Sequence, residues 1–352
     1  MEKQRVIFTQ AIGNTLAEMI EEIHPDLTFV LVDETTERLC LPHIAEGNCM
    51  KGVQTIVIPP GDQHKTLDSL CHVWEQLQQH RATRHSLLIN LGGGMITDLG
   101  GFAAGTFKRG IHCINIPTTL LAMVDASVGG KTGINFSGLK NEIGVFRNAS
   151  AVIVDTLFLQ SLDMENLLSG YAEMLKHGLI STPAMLGELL QYDFNGTIDY
   201  SLLARLLEDS VAVKQRIVLE DPTEQGLRKA LNLGHTMGHA FESLALRRQK
   251  PVLHGYAVAW GLVGELYLST VKTGFPSATM RQVVSFIVNH YGKMDISCDD
   301  YAELIELMTH DKKNIGGEIN FSLLSGVGEL MLNQTATKKE IEEALDFYRD
   351  GQ

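Results

Sequence analysis

SLLINLGGGMITDLGGFAAGTF, residues 86 to 107, reads as a buried strand that runs without a pause into a glycine cluster and then into a helix. Strands that are apolar in near-continuous runs fit a sheet covered on both faces, which means a parallel sheet with crossover helices. Glycines at the turn let the backbone approach a phosphate closely, and the amide groups that open the next helix favour negative charge. The stretch lacks both the G-x-G-x-x-G order of the dinucleotide fingerprint and the lysine of a P-loop. A phosphate-cradling turn and a plain strand-to-helix turn are therefore both compatible with it.

The same alternation extends to either side. RVIF (5–8), FVLVD (29–33), TIVIP (55–59), CINIP (113–117) and AVIVD (151–155) are short β-type runs, separated in places by helical patterns such as TLAEMIEEI (15–23) and LDSLCHVWEQLQQ (67–79). PTT (117–119) adds two hydroxyls at the end of the CINIP strand, where an open α/β sheet presents its ligand loops. From LFLQSLDMENLL (157–168) onward the β-type runs nearly vanish and apolar residues recur at helical spacing, INFSLL (319–324) being the exception. The change predicts an α/β domain over residues 1–155 and a helical domain over 156–352.

At 352 residues the chain is long enough for two domains with their own cores. A net charge of -13 argues against a nucleic-acid surface, which needs a basic face to replace condensed counterions. Cys40, Cys49, Cys71, Cys113 and Cys298 are odd in number, scattered and free of any C-x-x-C pair, so neither a disulfide framework nor a thiolate metal site is expected. MEKQRVIFTQ lacks the apolar core of a leader, and AVAWGLVGELYL (257–268) is interrupted by Glu265 well short of a membrane span. A soluble cytoplasmic protein, bound to neither membrane nor nucleic acid, is expected.

In such an acidic chain an anionic ligand must be held by a local cluster of cations. DASVGGKTGINFSGLKNEIGVF (125–146) sets Asp125, Lys131, Lys140 and Asn141 among glycines. The helical half continues with Lys176, Lys214, Arg228, Lys312 and Lys313. Arginine grips a carboxylate or phosphate in a bidentate fork, and lysine meets it as a point charge. GHTMGHA (234–240) places His235 and His239 at i and i+4, on one face of a helix, where both can reach one metal ion. An open catalytic site usually takes three protein ligands. His254 of LHG and Glu173 of YAEML are the further candidates, which makes four for three places. The residue types alone do not say which one is left out.

GGGMITDLGGF, RGI, IPTTLLAMVDASVGGKTGIN, KNEIGVF, GYAEMLKHGLI, LNLGHTMGHA and LHG together resemble the 3-dehydroquinate synthase family of the sugar phosphate cyclases, over essentially the whole chain. The resemblance implies a Rossmann-like NAD-binding domain followed by an all-helical metal- and substrate-binding domain, assembled as a homodimer. It implies Glu173, His235 and His254 as ligands of Zn2+ or Co2+, with His239 turned to the substrate. NAD is expected at Asp33, Asp62, Lys65, Gly93, Gly94, Met95, Ile96, Thr97, Asp98, Thr118, Thr119, Lys131 and Lys140, and along Thr156, Phe158, Leu159, Gln160 and Ser161. The implied substrate is a phosphorylated sugar acid, 3-deoxy-D-arabino-heptulosonate 7-phosphate. It is expected to meet Asp125, Lys131, Asn141, Lys176, Lys214, Arg228, Asn232, His239 and one of Lys312 or Lys313, with Arg109 reaching in from the partner subunit.

The implied reaction yields 3-dehydroquinate and phosphate in the shikimate pathway, through transient oxidation by NAD, phosphate elimination, re-reduction and ring closure. Two positions depart from the family pattern: Asp62 stands where glutamate is usual, and Tyr256 follows LHG where glutamate is usual. The second departure bears on the surroundings of His254, because outer groups tune ligand orientation and metal affinity. The iron-containing alcohol dehydrogenases share the implied fold, but they have little use for Lys131, Lys214, Arg228 and Lys312 together, and their metal site normally starts with aspartate. A non-catalytic protein that binds NAD and zinc needs no such set of polar groups.

Overall fold

FVLV and LLIN, two of the most apolar runs in the N-terminal half, lie side by side in a parallel sheet, both buried beneath covering helices. The structure is a computed structural model that describes residues 4–45, 47–137, 139–309 and 319–351. It divides into two compact units, Met1–Asp163 and Met164–Gln352.

The first unit runs β1 (Val6–Phe8), α1 (Ile12–Ile23), β2 (Thr28–Asp33), α2 (Glu34–Leu39), α3 (Pro42–Ala45), β3 (Gln54–Ile58), α4 (Leu67–Gln79), β4 (Leu87–Gly92), α5 (Gly94–Thr106), β5 (His112–Pro117), β6 (Lys131–Phe136), β7 (Leu139–Phe146) and β8 (Ala151–Val154). Six of these strands form one sheet in the order β1-β8-β5-β4-β2-β3, with every pairing parallel. They are the six runs legible in the sequence. Phe29 and Leu31 of β2 and Leu88 of β4 pack with Val73 and Leu77 of α4 and Leu99 and Ala103 of α5 in one apolar core. From β2 the chain steps one way to β3 and then returns past β2 to β4, so the winding reverses between β2 and β4. In open α/β sheets, ligands settle beyond the carboxyl ends of the strands at that reversal. Asp33 ends β2 and Gly92 ends β4.

One segment differs from the sequence reading. The glycine-rich loop over 125–146 contains an antiparallel hairpin, β6 paired with β7, in which Gly133 faces Gly144 and Ile134 faces Ile143. Asp125 precedes it in a π-helical turn, Ala122–Ala126, a rare geometry that recurs at functional sites. The 3-10 turn Thr156–Ser161 falls within the first unit. Its Phe158 ring meets His43 edge-on, with centroids 6.0 Å apart.

The second unit runs α6 (Met164–Leu179), α7 (Pro183–Leu190), α8 (Tyr200–Glu220), α9 (His235–Arg247), α10 (His254–Thr273), α11 (Ser277–Tyr291), α12 (Tyr301–Thr309), β9 (Asn320–Gly326), β10 (Glu329–Thr335) and α13 (Lys338–Asp350). The helical reading gains one addition here, for most of INFSLL falls in β9, which pairs antiparallel with β10. α10 is buried almost all round from Gly255 to Ser269, and α6, α9, α11, α13 and β9 pack on it. Among the described residues no helix is long and apolar enough to cross a membrane.

Candidate active site

GYAEMLKHG lies in α6, whose residues from Leu167 to Leu179 are all buried, so Glu173 is carried into the interior of the second unit. His235 is the first residue of α9 and His254 the first of α10. Both rings aim Nε2 at the same carboxylate oxygen, Oε1 of Glu173, at 3.5 Å and 3.6 Å. The other nitrogen of each ring is held: Nδ1 of His235 lies 3.2 Å from the Leu233 carbonyl, and Nδ1 of His254 lies 3.3 Å from Oε2 of Glu242. His239, one turn along α9, completes the cluster, with its ring centroid 5.4 Å from that of His235 and 5.9 Å from that of His254. The three histidines bring possible ligand atoms within 4.8 Å of one another.

The ionisable groups of this cluster hold one another in their charged forms. Burial raises the Glu173 carboxyl, but the Lys176 ammonium and the His254 ring outweigh it and hold the group well below the usual carboxylate range. Burial likewise lowers His254, and the carboxylates of Glu173 and Glu242 more than offset it, so the ring is held well above its ordinary value. Both Glu173 oxygens are buried and accept no well-formed hydrogen bond among the described residues. Lys176, one turn on, approaches the second oxygen closely. A buried carboxylate beside imidazoles whose outer nitrogens are already held is a donor set that fits a divalent ion.

Two further cations predicted in this unit are buried as well. Lys214 of α8 is 5% exposed and Arg228, in the 3-10 segment Leu227–Asn232, is 1% exposed. Arg228 donates from Nη1 to the Pro222 carbonyl at 2.7 Å, while its backbone N–H donates to Asp221. Asn232 donates to Oε1 of Glu224 at 2.8 Å. Lys312 and Lys313 lie outside the described residues.

In the first unit the predicted residues gather around the end of β4 and the hairpin. Gly93 and Gly94 open α5 with no side-chain cap, which leaves the first amides of the helix to other partners. Thr118 and Thr119 follow β5 directly alongside; the Thr118 N–H donates to the Gly92 carbonyl, and a Cβ on Gly93 would stand 3.2 Å from the Thr119 methyl. Asp33 caps α2, its Oδ1 accepting from the N–H groups of Thr35 and Thr36. Ile96, Phe158 and Leu159 are buried side chains, so only their backbone can face a ligand, and Met95 packs against the core that holds Ile96.

Asp62, Lys65, Asp98, Lys140 and Asn141 form one network. Lys65 reaches Asp98 at 3.1 Å, Asn141 at 2.5 Å and Asp62 at 3.3 Å, and Lys140 reaches Asp62 at 3.3 Å. Burial would lower the Lys65 ammonium, but Asp98 and Asp62 outweigh it and raise it. Burial raises Asp62, yet Lys65 and Lys140 bring it below its usual value. For Asp98 burial wins, and its carboxyl is raised. Lys131 opens the hairpin exposed, and Gln160 and Ser161 are also exposed. Arg109 is exposed on a turn where Lys108, Arg109 and Gly110 all have positive φ, 50°, 68° and 117°.

Four residues missed in the sequence belong to this picture. Asn135 ties the hairpin to the 62–65 turn by donating to the Asp62 carbonyl at 3.0 Å. Arg147 donates to the carbonyls of Ala104 and Ile111, bracketing the turn that carries Arg109. Glu242 holds His254, and Glu265, fully buried, accepts from the backbone at the start of α9. Glu242 had a signal, for it stands at i+7 from His235 and i+3 from His239, on the same helix face. Glu265 had one too, as the single acid of an otherwise apolar helix. The position of Tyr256 follows from these contacts: its ring packs on Tyr291, centroids 5.2 Å apart, and the carboxylate beside His254 comes from α9.

The fold is shared with 2-epi-5-epi-valiolone synthase from Streptomyces hygroscopicus, solved with NAD+ and Zn2+ bound, which superposes with a TM-score of 0.87 at 23% identity, covering 100% of this chain and 98% of that one. The sequence is more particular. Models of the 3-dehydroquinate synthase N-terminal and C-terminal regions match residues 55–169 and 170–314. A 3-dehydroquinate synthase of Parabacteroides distasonis is 51% identical over 351 residues, covering 100% of this chain and 99% of its own length. One from Pyrococcus furiosus is 38% identical over 338 residues, covering 94% and 96%. The chain belongs to the 3-dehydroquinate synthase family.

Proposed function

We propose that this chain carries out the family reaction on 3-deoxy-D-arabino-heptulosonate 7-phosphate, releasing phosphate and closing the carbocycle of 3-dehydroquinate. NAD and a divalent ion, Zn2+ or Co2+, are its cofactors, and it works as a cytoplasmic homodimer. The observation that carries the reading is the burial of Lys176, Lys214 and Arg228 in the unit that holds the Glu173 and histidine cluster. Arginine and lysine side chains of this kind suit a substrate that carries a carboxylate and a phosphate, whereas a simple alcohol has no use for three of them.

Glu173, His235 and His254 hold the metal, and Gly93 to Asp98, Thr118, Thr119 and the Lys65 network receive NAD. When bound, NAD supplies hydride removal and return at C5, and the divalent ion acidifies the C5 hydroxyl. Oxidation at C5 acidifies the C6 proton, which passes to a phosphate oxygen as the C7–O bond breaks, so no strong protein base is required there. After reduction at C5 and ring opening, the enolate carbon attacks the C2 ketone. His239 faces the substrate beside the metal ligands. Arg228 grips the carboxylate with its planar fork, Lys131 and Asn141 hold the phosphate end, and Arg109 arrives from the partner subunit. The protein's contribution is orientation and charge stabilisation.

The test is to supply the heptulosonate phosphate with a divalent metal and NAD well below the substrate concentration. Phosphate is expected to match substrate consumed over many turnovers, with no net build-up of reduced nicotinamide. One reduced nicotinamide per substrate, with no phosphate, would transfer the chain to the alcohol dehydrogenase reaction.

A further inference from the structure

The first turn of α9 presents N–H groups that have no partner within the helix, and a residue at the N-cap normally satisfies one of them with a short side chain. Here the N-cap is Gly234, in the left-handed region at φ 79°. A Cβ on Gly234 would stand 2.8 Å from the Leu262 side chain and 3.0 Å from the Val258 carbonyl, so no capping side chain fits. The missing acceptor comes from across the interface. Glu265 of α10, with no exposed surface, accepts from the Gly234 N–H with Oε2 at 2.6 Å and from the Met237 N–H with Oε1 at 3.1 Å. These two N–H groups bracket His235, which is thereby fixed in height and rotation relative to α10.

α10 also begins with His254, about three helical turns before Glu265. Its Gly255 N–H donates to Ser169 Oγ at 3.1 Å, one turn ahead of Glu173 on α6. One helix therefore sets the frame for Glu173 and for the two histidines that converge on its carboxylate. A carboxylate with no exposure is costly to bury for packing alone, and two backbone donors aimed at its two oxygens are the kind of charge-assisted contact that offsets the cost.

We infer that Glu265 is a positioning residue for the metal centre: by capping α9 from α10 it holds His235 in register with His254 and Glu173. This rests on the metal reading above. Glu265→Gln keeps reach and volume but presents an amide donor towards one of the two N–H groups, and Glu265→Asp keeps the charge but loses the reach. Zinc affinity by chelator competition is expected to fall by about 10- to 100-fold in both, the range for groups that orient metal ligands. The ligand-field spectrum of the Co2+-loaded protein is expected to change, and NAD affinity to stay the same. Ser269→Ala is the control for lost stability, because Ser269 Oγ donates to the Glu265 carbonyl one turn further on and accepts from the Leu324 N–H. It should lower Tm while leaving zinc affinity and the Co2+ spectrum unchanged. If Glu265→Gln fails to fold, Glu265→Asp carries the test. Wild-type zinc affinity and an unchanged spectrum in the folded Glu265 variants would overturn the inference and leave the metal reading standing, as would an equal loss of zinc in Ser269→Ala. Failure of the wild-type protein to hold zinc would overturn both.

Discussion

His239 and His254 carry the same ring, 5.9 Å apart between centroids, and the assignment of His254 rests on where its own two nitrogens go. Glu242 holds Nδ1 of His254, and the Leu233 carbonyl holds Nδ1 of His235, so each ring keeps Nε2 for the Glu173 oxygen. An outer carboxylate or carbonyl of this kind fixes tautomer and orientation in metal-bound histidines. His254→Ala is therefore expected to strip zinc, measured as metal per chain after dialysis. His239→Ala is expected to retain zinc and lose turnover. Equal metal loss in the two variants would make His239 a ligand as well and overturn its assignment to the substrate. The residue types of all four candidates were legible in the sequence, while the contact between Glu242 and His254 was not, because it enters only through the crossing of α9 and α10.

α9 and α10 approach each other more closely than side chains would allow. A Cβ on Gly261 would lie 2.0 Å from the Gly234 carbonyl oxygen, a backbone atom that cannot swing aside. Gly261→Ala must push the helices apart, with an overpacking cost of about 1–3 kcal/mol. It is expected to lower Tm and to weaken zinc binding together, since His235 and His254 sit on opposite sides of the crossing. Loss of stability with zinc affinity intact would mean that the crossing adjusts without disturbing the ligands. The inner strands β2, β4, β5 and β8 were readable because each is buried along nearly its whole length and so reads as a largely apolar run, and the partly buried edge strands β1 and β3 keep short apolar runs of their own. The β6–β7 hairpin was not, since it carries lysines, asparagines and glycines, and β7 is exposed along its whole length. Its strand character comes from pairing, in particular Gly133 against Gly144, and pairing leaves little trace in a single strand's composition.

At the scale of the molecule, the proposed ligands divide between the two compact units: NAD on residues 1–163 and the metal on residues 164–352. In the sequence the β-type runs thin out near residue 155, and the compact units divide after Asp163. The 3-10 turn Thr156–Ser161 nonetheless belongs to the first unit, as its buried Phe158 and Leu159 require. A ligand that binds only the folded state stabilises it by about 2.7 kcal/mol at a hundred times its Kd. That stabilisation appears first in the amides whose opening would release the ligand, because opening is local before it is global. Hydrogen exchange should then resolve the two sites. Zinc is expected to slow exchange in the first turns of α9 and α10 and around Glu173 in α6. NAD is expected to slow it in the first turn of α5, in the Thr118–Thr119 segment and in the hairpin tied to Lys65. Measured by mass spectrometry on metal-free protein with each ligand added alone, the two protection maps should fall on different units. Zinc protection centred within residues 1–163 would remove Glu173, His235 and His254 as the ligand set. NAD protection centred on α9 and α10 would move the nucleotide away from the reversal between β2 and β4.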